Sequence, residues 1–261
     1  MRKIYILPNL FTTASLFCGL FAILHVFNVS DAAEANPRVY DFACWLILAS
    51  AILDLFDGWI ARMTRTTSLF GVEYDSLSDL VAFGVAPCVL IYTRLSLMEN
   101  RNAAEVIATL YAVCGALRLA RFNVQKTRVE KQSFTGLPIP AAAGTVVASF
   151  LFFQRVDPEW DKQFVRNVLP IIMIGLSYLM VSQINYPSFK QFKLERRRSF
   201  DFLVWVVLLV IITMALKNYF EALVFLGFAG YVVWGVIWHG FNLLRKKPAA
   251  QPADNPSPLE P

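Results

Sequence analysis

Apolar residues along this chain come in runs of about 20, the length a helix needs to cross a bilayer core of roughly 30 Å. Eight such runs stand out, near residues 9–29, 40–62, 76–97, 103–123, 137–154, 167–186, 200–216 and 220–243; the fifth and seventh are short. No ten-residue stretch alternates with period two, which argues against a β-barrel. The pattern predicts an all-α fold, a polytopic transmembrane helix bundle of about eight spans. The first 30 residues have a basic start at Arg2 and Lys3 and an Ala33-Glu34-Ala35 triplet, as a signal peptide would. The apolar stretch from Leu10 to Val29 is longer than a signal-peptide core of roughly 7–15 residues, so it is read as a retained span.

Composition agrees with the pattern. The chain has 261 residues, 57% hydrophobic and only 16% charged, against about a quarter charged in soluble domains. Cys18, Cys44, Cys88 and Cys114 each lie inside an apolar run with no C-x-x-C pairing, and are read as small packing residues. His25 and His239 are isolated near span ends and are read as interfacial.

Basic residues set an orientation. With the N-terminus in the cytoplasm, 17 of the 24 Lys and Arg fall on the cytoplasmic side. Arg38, Arg94, Arg101, Arg155, Lys162, Arg166 and Lys217 fall on the other. An even number of spans with both termini cytoplasmic is expected. The net charge of +5 then reads as membrane-surface charge, and no motif supports a nucleic-acid partner.

The chemistry is concentrated between Asp54 and Asp79. Asp54, Asp57, Gly58 and Ala61 sit at i, i+3, i+4 and i+7, on one helical face; Asp75 and Asp79 share another. A short loop makes the two helices antiparallel neighbours, so the faces can meet near their cytoplasmic ends. An Asp inside a span costs at least ~2.5 kcal/mol, and four together repel one another. Few cationic side chains are adjacent in sequence, so metal is the natural partner. Oxygen-only ligands favour hard ions such as Mg²⁺, Mn²⁺ or Ca²⁺, and four carboxylates suit two ions clamping a phosphoryl group. Gly58 and Ala61 fit two readings, close helix packing or room for a nucleotide. Arg62 fits two as well, a positive-inside anchor or a diphosphate contact.

The stretch reads D-x₂-D-G-x₂-A-R-x₈-G-x₃-D-x₃-D over Asp54, Asp57, Gly58, Ala61, Arg62, Gly71, Asp75 and Asp79. It resembles the signature of the CDP-alcohol phosphatidyltransferases at all eight fixed positions. At about one in twenty per position, a chance match has odds of order 10⁻¹⁰. The resemblance implies that Asp54, Asp57 and Asp75 are metal ligands for Mg²⁺ or Mn²⁺. It implies that Asp79 is the general base for the acceptor hydroxyl, with a possible contact to metal. It implies that Gly58, Ala61, Arg62 and Gly71 line the CDP site, and that the protein is a homodimer. It divides the chain into a family membrane core over 1–186 and a basic loop with two additional spans over 187–247; the tail over 248–261, rich in Pro, Ala, Asn and Asp, cannot pack a core and is expected to be disordered.

Further segments bear on the acceptor. Pro8 to Thr13, Phe83 to Pro87, Gly115 to Asn123 and Phe134 to Ala141 resemble the phosphatidylserine synthase branch of that family over roughly residues 5–185. Residue chemistry points the same way. Arg118 and Arg121 lie three apart on one side of the fourth span, and an arginine in a span asks for an anion. Serine brings a carboxylate and glycerol phosphate a phosphate; choline and inositol bring neither. The alternative account of these arginines is neutralising the aspartates or snorkelling to the interface. Asn123 is a further acceptor candidate. Asn9 and Thr12 either contact nucleotide or cap the first helix.

The expected activity is transfer of a phosphatidyl group from CDP-diacylglycerol to L-serine, in the inner membrane of a prokaryote, with the site facing the cytoplasm. Glycerol 3-phosphate and choline are the nearest competing acceptors. A cation transporter is the rival from another class, weakened by acids that cluster near one face instead of the midplane.

Overall fold

A computed structural model of the chain describes residues 6–29, 37–64, 68–96, 101–126, 133–187 and 219–245. Among them, seven helical spans are long and apolar enough to cross a membrane. The elements are α1 (Ile6–Val29), α2 (Asp41–Thr64), α3 (Leu69–Asp79), α4 (Ala86–Ser96), α5 (Arg101–Lys126), α6 (Ile139–Val156), α7 (Pro158–Gln163), α8 (Leu169–Val181) and α9 (Phe220–Arg245). The third span begins at Leu69 instead of near residue 76, and the sixth runs over Glu159–Val181 instead of 167–186. The span expected at 200–216, most of the basic loop and the tail lie outside the described residues. The chain is an integral membrane protein with an all-α bundle fold.

Two spans are joined through π-helical turns, at Leu80–Val85 between α3 and α4 and at Phe164–Val168 between α7 and α8. Each ends two residues before a proline, Pro87 or Pro170. Pro87 has no N–H, and its ring crowds the carbonyl four residues back, so regular α geometry cannot pass through it. The Ala86 N–H bonds to the Val81 carbonyl, one residue beyond the α register. The Phe83 carbonyl that Pro87 cannot serve accepts instead from the Tyr111 hydroxyl on α5 at 3.0 Å. At the second turn the Leu169 N–H reaches Phe164 in the same way, just before Pro170.

Helix α6 is the buried centre, and its small residues Ala142, Ala143, Gly144 and Ala148 let neighbours approach. It packs on α9, α1 lies along α2, and α5 lies against α4 and α8. The α1 approach to the third span is tight: a Cβ on Gly19 would stand 2.7 Å from the Ala82 Cα.

A two-stranded antiparallel ribbon, β1 (Ser133–Thr135) with β2 (Asn185–Pro187), ties the start of α6 to the end of α8. It pairs Phe134 with Tyr186. The next residue, Gly136, has φ +86°, and a Cβ there would sit 2.4 Å from the Met180 carbonyl. Its N–H donates to Ile184 at 2.8 Å and that of Leu137 to Leu179 at 3.0 Å. Tyr186 is fully buried beside Tyr231 of α9, and burial pushes its hydroxyl up to about 12.

Arg94 lies inside the third span, within the run expected over 76–97. It is buried in α4, ion-paired with the equally buried Asp161 of α7, and its guanidinium lies 5.8 Å from the rings of both Tyr40 and Phe150.

Candidate active site

Helix α2 carries Asp54 and Asp57 three residues apart, and α3 carries Asp75. One carboxylate oxygen from each of these three lies within 4.8 Å of the others. Oxygens on opposite sides of a shared hard cation stand about 4–5 Å apart, from bonds of 2.0–2.6 Å. The donor set, all oxygen and on two packed helices, therefore fits a divalent cation. Asp79, the last residue of α3, stands outside this triad but against Asp54, close enough for a side-chain hydrogen bond.

The start of α3 is shaped by Ser68. Its hydroxyl accepts from the Gly71 N–H at 2.9 Å, an N-cap that fixes where the helix begins. A Cβ on Gly71 would meet Ser68 Oγ at 3.1 Å and Asn9 Oδ1 at 3.4 Å, which places Asn9 of α1 beside the position.

Helix α1 forms one wall. Thr12 is buried, and its hydroxyl donates to Asp57 Oδ2 at 2.8 Å. The Thr12 carbonyl accepts from Ser78 at 3.0 Å, Thr13 meets Tyr74 at 2.9 Å, and Ser15 meets Ser50 at 2.9 Å. Thr12 was a candidate for nucleotide binding or capping; its partner is a metal-site carboxylate.

Helix α5 forms the opposite wall. Arg118 is buried, 7% exposed, with its guanidinium 5.4 Å from the Phe122 ring and in electrostatic range of Asp79 and Asp54. Its Nε has no hydrogen-bond partner among the described residues. Arg121 turns away, donating to the Val181 carbonyl at 3.1 Å, where it caps the exposed end of α8. Asn123 donates to Ser76 Oγ at 2.9 Å. The three acceptor candidates thus separate: only Arg118 faces the carboxylates. Gly58 lies half-buried on α2. Ala61 and Arg62 lie further along that helix, with side chains outside the described set.

Several residues here escaped the sequence reading. Ser15, Ser50, Tyr74, Ser76 and Ser78 are the hydroxyls that tie α1, α2, α3 and α5 together. The one available signal was their occurrence on the Asp-bearing stretch and at helical spacing from Thr12.

The architecture is thus a helical membrane bundle that holds, between two spans and beside a buried arginine, a set of acidic oxygens that fits a divalent cation. The chain belongs to the CDP-alcohol phosphatidyltransferase family, whose model matches residues 5–181. It is 38% identical to a CDP-diacylglycerol–serine O-phosphatidyltransferase of Helicobacter pylori over 249 residues, 94% of this chain and 95% of that one. It is 38% identical to the enzyme of that name from Methanocaldococcus jannaschii over 72% of this chain and 77% of that one. The one from Bacillus subtilis is 34% identical over 74% and 96%.

Proposed function

We propose that the protein transfers the phosphatidyl group of CDP-diacylglycerol to the hydroxyl of L-serine, giving phosphatidylserine and CMP. The observation that carries this reading is the placement of buried Arg118 opposite Asp79, beside the Asp54, Asp57 and Asp75 triad. The names of the relatives support the same acceptor.

Asp54, Asp57 and Asp75 are the residues that would hold the cation. Mg²⁺ or Mn²⁺, expected as a pair, supplies when bound the positive charge that polarises the diphosphate and eases departure of CMP. Asp79, outside the triad, takes the proton from the serine hydroxyl. The hydroxyl oxygen bonds to the phosphorus that carries the diacylglycerol, and the bond from that phosphorus to the CMP oxygen breaks. Arg118 receives the serine carboxylate and so orients the hydroxyl toward Asp79. Asn9, Gly58, Ala61, Arg62 and Gly71 serve the CDP end, and Thr12 orients Asp57.

The excess of Lys and Arg on one set of loops supports an inner-membrane location with the site open to the cytoplasm. A homodimer and the division at residue 186 rest on family resemblance.

The test is label transfer from serine into lipid by purified protein with CDP-diacylglycerol and Mg²⁺ or Mn²⁺. Robust transfer to glycerol 3-phosphate with none to serine overturns the acceptor. Asp57→Asn is expected to weaken Mn²⁺ binding, and Asp79→Asn to abolish turnover with Mn²⁺ binding largely kept. Equal loss of Mn²⁺ affinity in both removes the base role from Asp79.

A further inference from the structure

The opposite end of the bundle carries a second polar site. The start of α2, the end of α6 and the start of α9 form a small open cleft of about 60 Å³. That is well below the roughly 300–1,000 Å³ of an enclosing ligand pocket, so the cleft seats the polar end of a compact head group at its mouth and not a nucleotide. Asp41 in the cleft and Asp54 in the aspartate cluster lie thirteen residues apart on α2, about 20 Å at 1.5 Å per residue. The cleft therefore belongs to the other membrane face.

Its lining is balanced in charge, with Arg38 and Arg155 set against Asp41 and Glu221. Gln154 is 5% exposed, and neither its amide nitrogen nor its amide oxygen has a hydrogen-bond partner among the described residues. Asp41 Oδ1 and Glu221 Oε2 are buried acceptors in the same condition. Buried polar atoms are ordinarily paired, so a group of them lining one cleft marks a place for a polar ligand. The Arg155 guanidinium lies 3.6 Å from Glu221 Oε1, close but longer than a hydrogen bond. Trp45, stacked on Phe220 at 5.6 Å and exposed, forms the outer lip, as aromatic rings do at the head-group level of a membrane.

We propose that this cleft is a second, non-catalytic site that binds a zwitterion joining a primary ammonium to a phosphate, as in a phosphoethanolamine head group. Arg38 and Arg155 meet the phosphate, Asp41 and Glu221 meet the ammonium, and the Gln154 amide donates to one and accepts from the other. A singly charged anionic head group leaves the two carboxylates unanswered and binds less well.

The test is native mass spectrometry on delipidated full-length protein, titrated with dioleoyl phosphatidylethanolamine or dioleoyl phosphatidylglycerol. Wild type is expected to hold the ethanolamine lipid at least about tenfold more tightly, the scale of one or two charge-assisted hydrogen bonds. Gln154→Leu is expected to lose that preference. The double variant Arg155→Gln with Glu221→Gln, at the cleft's outer side, is expected to lose it too and carries the test if Gln154→Leu does not fold. Equal binding of the two lipids by wild type, or an unchanged preference in the folded variants, overturns the proposal. Excess O-phosphoethanolamine separates the sources: displacement of the lipid identifies a free zwitterion as a sufficient ligand, and failure to displace identifies a membrane-borne head group.

Discussion

The hydrogen bond from Thr12 to Asp57 sets a test of the metal centre that does not touch a metal ligand. Thr12→Val keeps the branched shape of the side chain and removes only the donor. The bond is 2.8 Å long and ends on a carboxylate that is 5% exposed, so little water is at hand to replace the hydroxyl. A hydrogen bond to a charged group contributes about 1.5–3 kcal/mol, which corresponds to a factor of roughly 10–150 in affinity. Groups that orient metal ligands cost about 10–100-fold in metal affinity when removed, the same range. The expected result is a rise of tenfold or more in the Mn²⁺ dissociation constant, measured by calorimetry or by the electron paramagnetic resonance signal of free Mn²⁺. The Mn²⁺ activation curve for serine incorporation shifts equally. At saturating Mn²⁺ the KM for CDP-diacylglycerol stays within about twofold, because the nucleotide loses no contact. Thr12→Ser restores the donor and most of the affinity. An unchanged Mn²⁺ constant together with a raised KM for the CDP-lipid would refute this account and return Thr12 to the nucleotide.

Other predictions concern the scaffold. Gly136→Ala places a Cβ against the Met180 carbonyl at a positive φ and is expected to destabilise by about 2 kcal/mol or more; an unchanged thermal inactivation profile in detergent would contradict it. Arg94→Met strands buried Asp161 and is expected to cost about 3–5 kcal/mol, whereas the double change with Asp161→Leu regains most of it. If the double variant inactivates as readily as the single, the pair is not the cause. Tyr111→Phe leaves the Phe83 carbonyl without its donor, for a loss of about 1–3 kcal/mol and faster amide exchange around the π-helical turn.

Apolar run length located the spans because a bilayer imposes a length, and the motif spacing located Asp54, Asp57 and Asp75 because a helix turns every 3.6 residues. What periodicity could not carry was partner choice. Arg118 and Arg121 are three apart on one helix, yet one faces the carboxylates and the other caps α8. That split depends on where α8 ends, which only the packed bundle decides. Arg94 falls inside the expected third span, but its ion-pair partner Asp161 lies 67 residues away, beyond the reach of any helical period. The third span was placed to start too late because Ser68 to Tyr74 mixes polar residues into its first turns. A hydroxyl N-cap makes that segment helical all the same.

The segments that resemble the serine-using branch acquire a mechanical meaning from the π-helical turn. Pro87 frees the Phe83 carbonyl, and Tyr111 of α5 takes it up at 3.0 Å. Further along the same two helices, Asn123 of α5 holds Ser76 of α3 at 2.9 Å. Arg118 lies between Tyr111 and Asn123 in sequence, and Asp79 lies between Ser76 and Phe83. The two hydrogen bonds therefore bracket the arginine and the aspartate and prevent α5 from sliding along α3. A slip of one helical turn moves a side chain by about 5.4 Å, enough to part an acceptor carboxylate on Arg118 from a proton acceptor at Asp79. Asn123, first a candidate for touching the acceptor, serves better as one end of this clamp. If Arg118 and Asp79 play the proposed parts of acceptor-binding cation and base, selectivity for an alcohol that also bears a carboxylate rests on their fixed separation, which Tyr111 and Asn123 would set from outside the site.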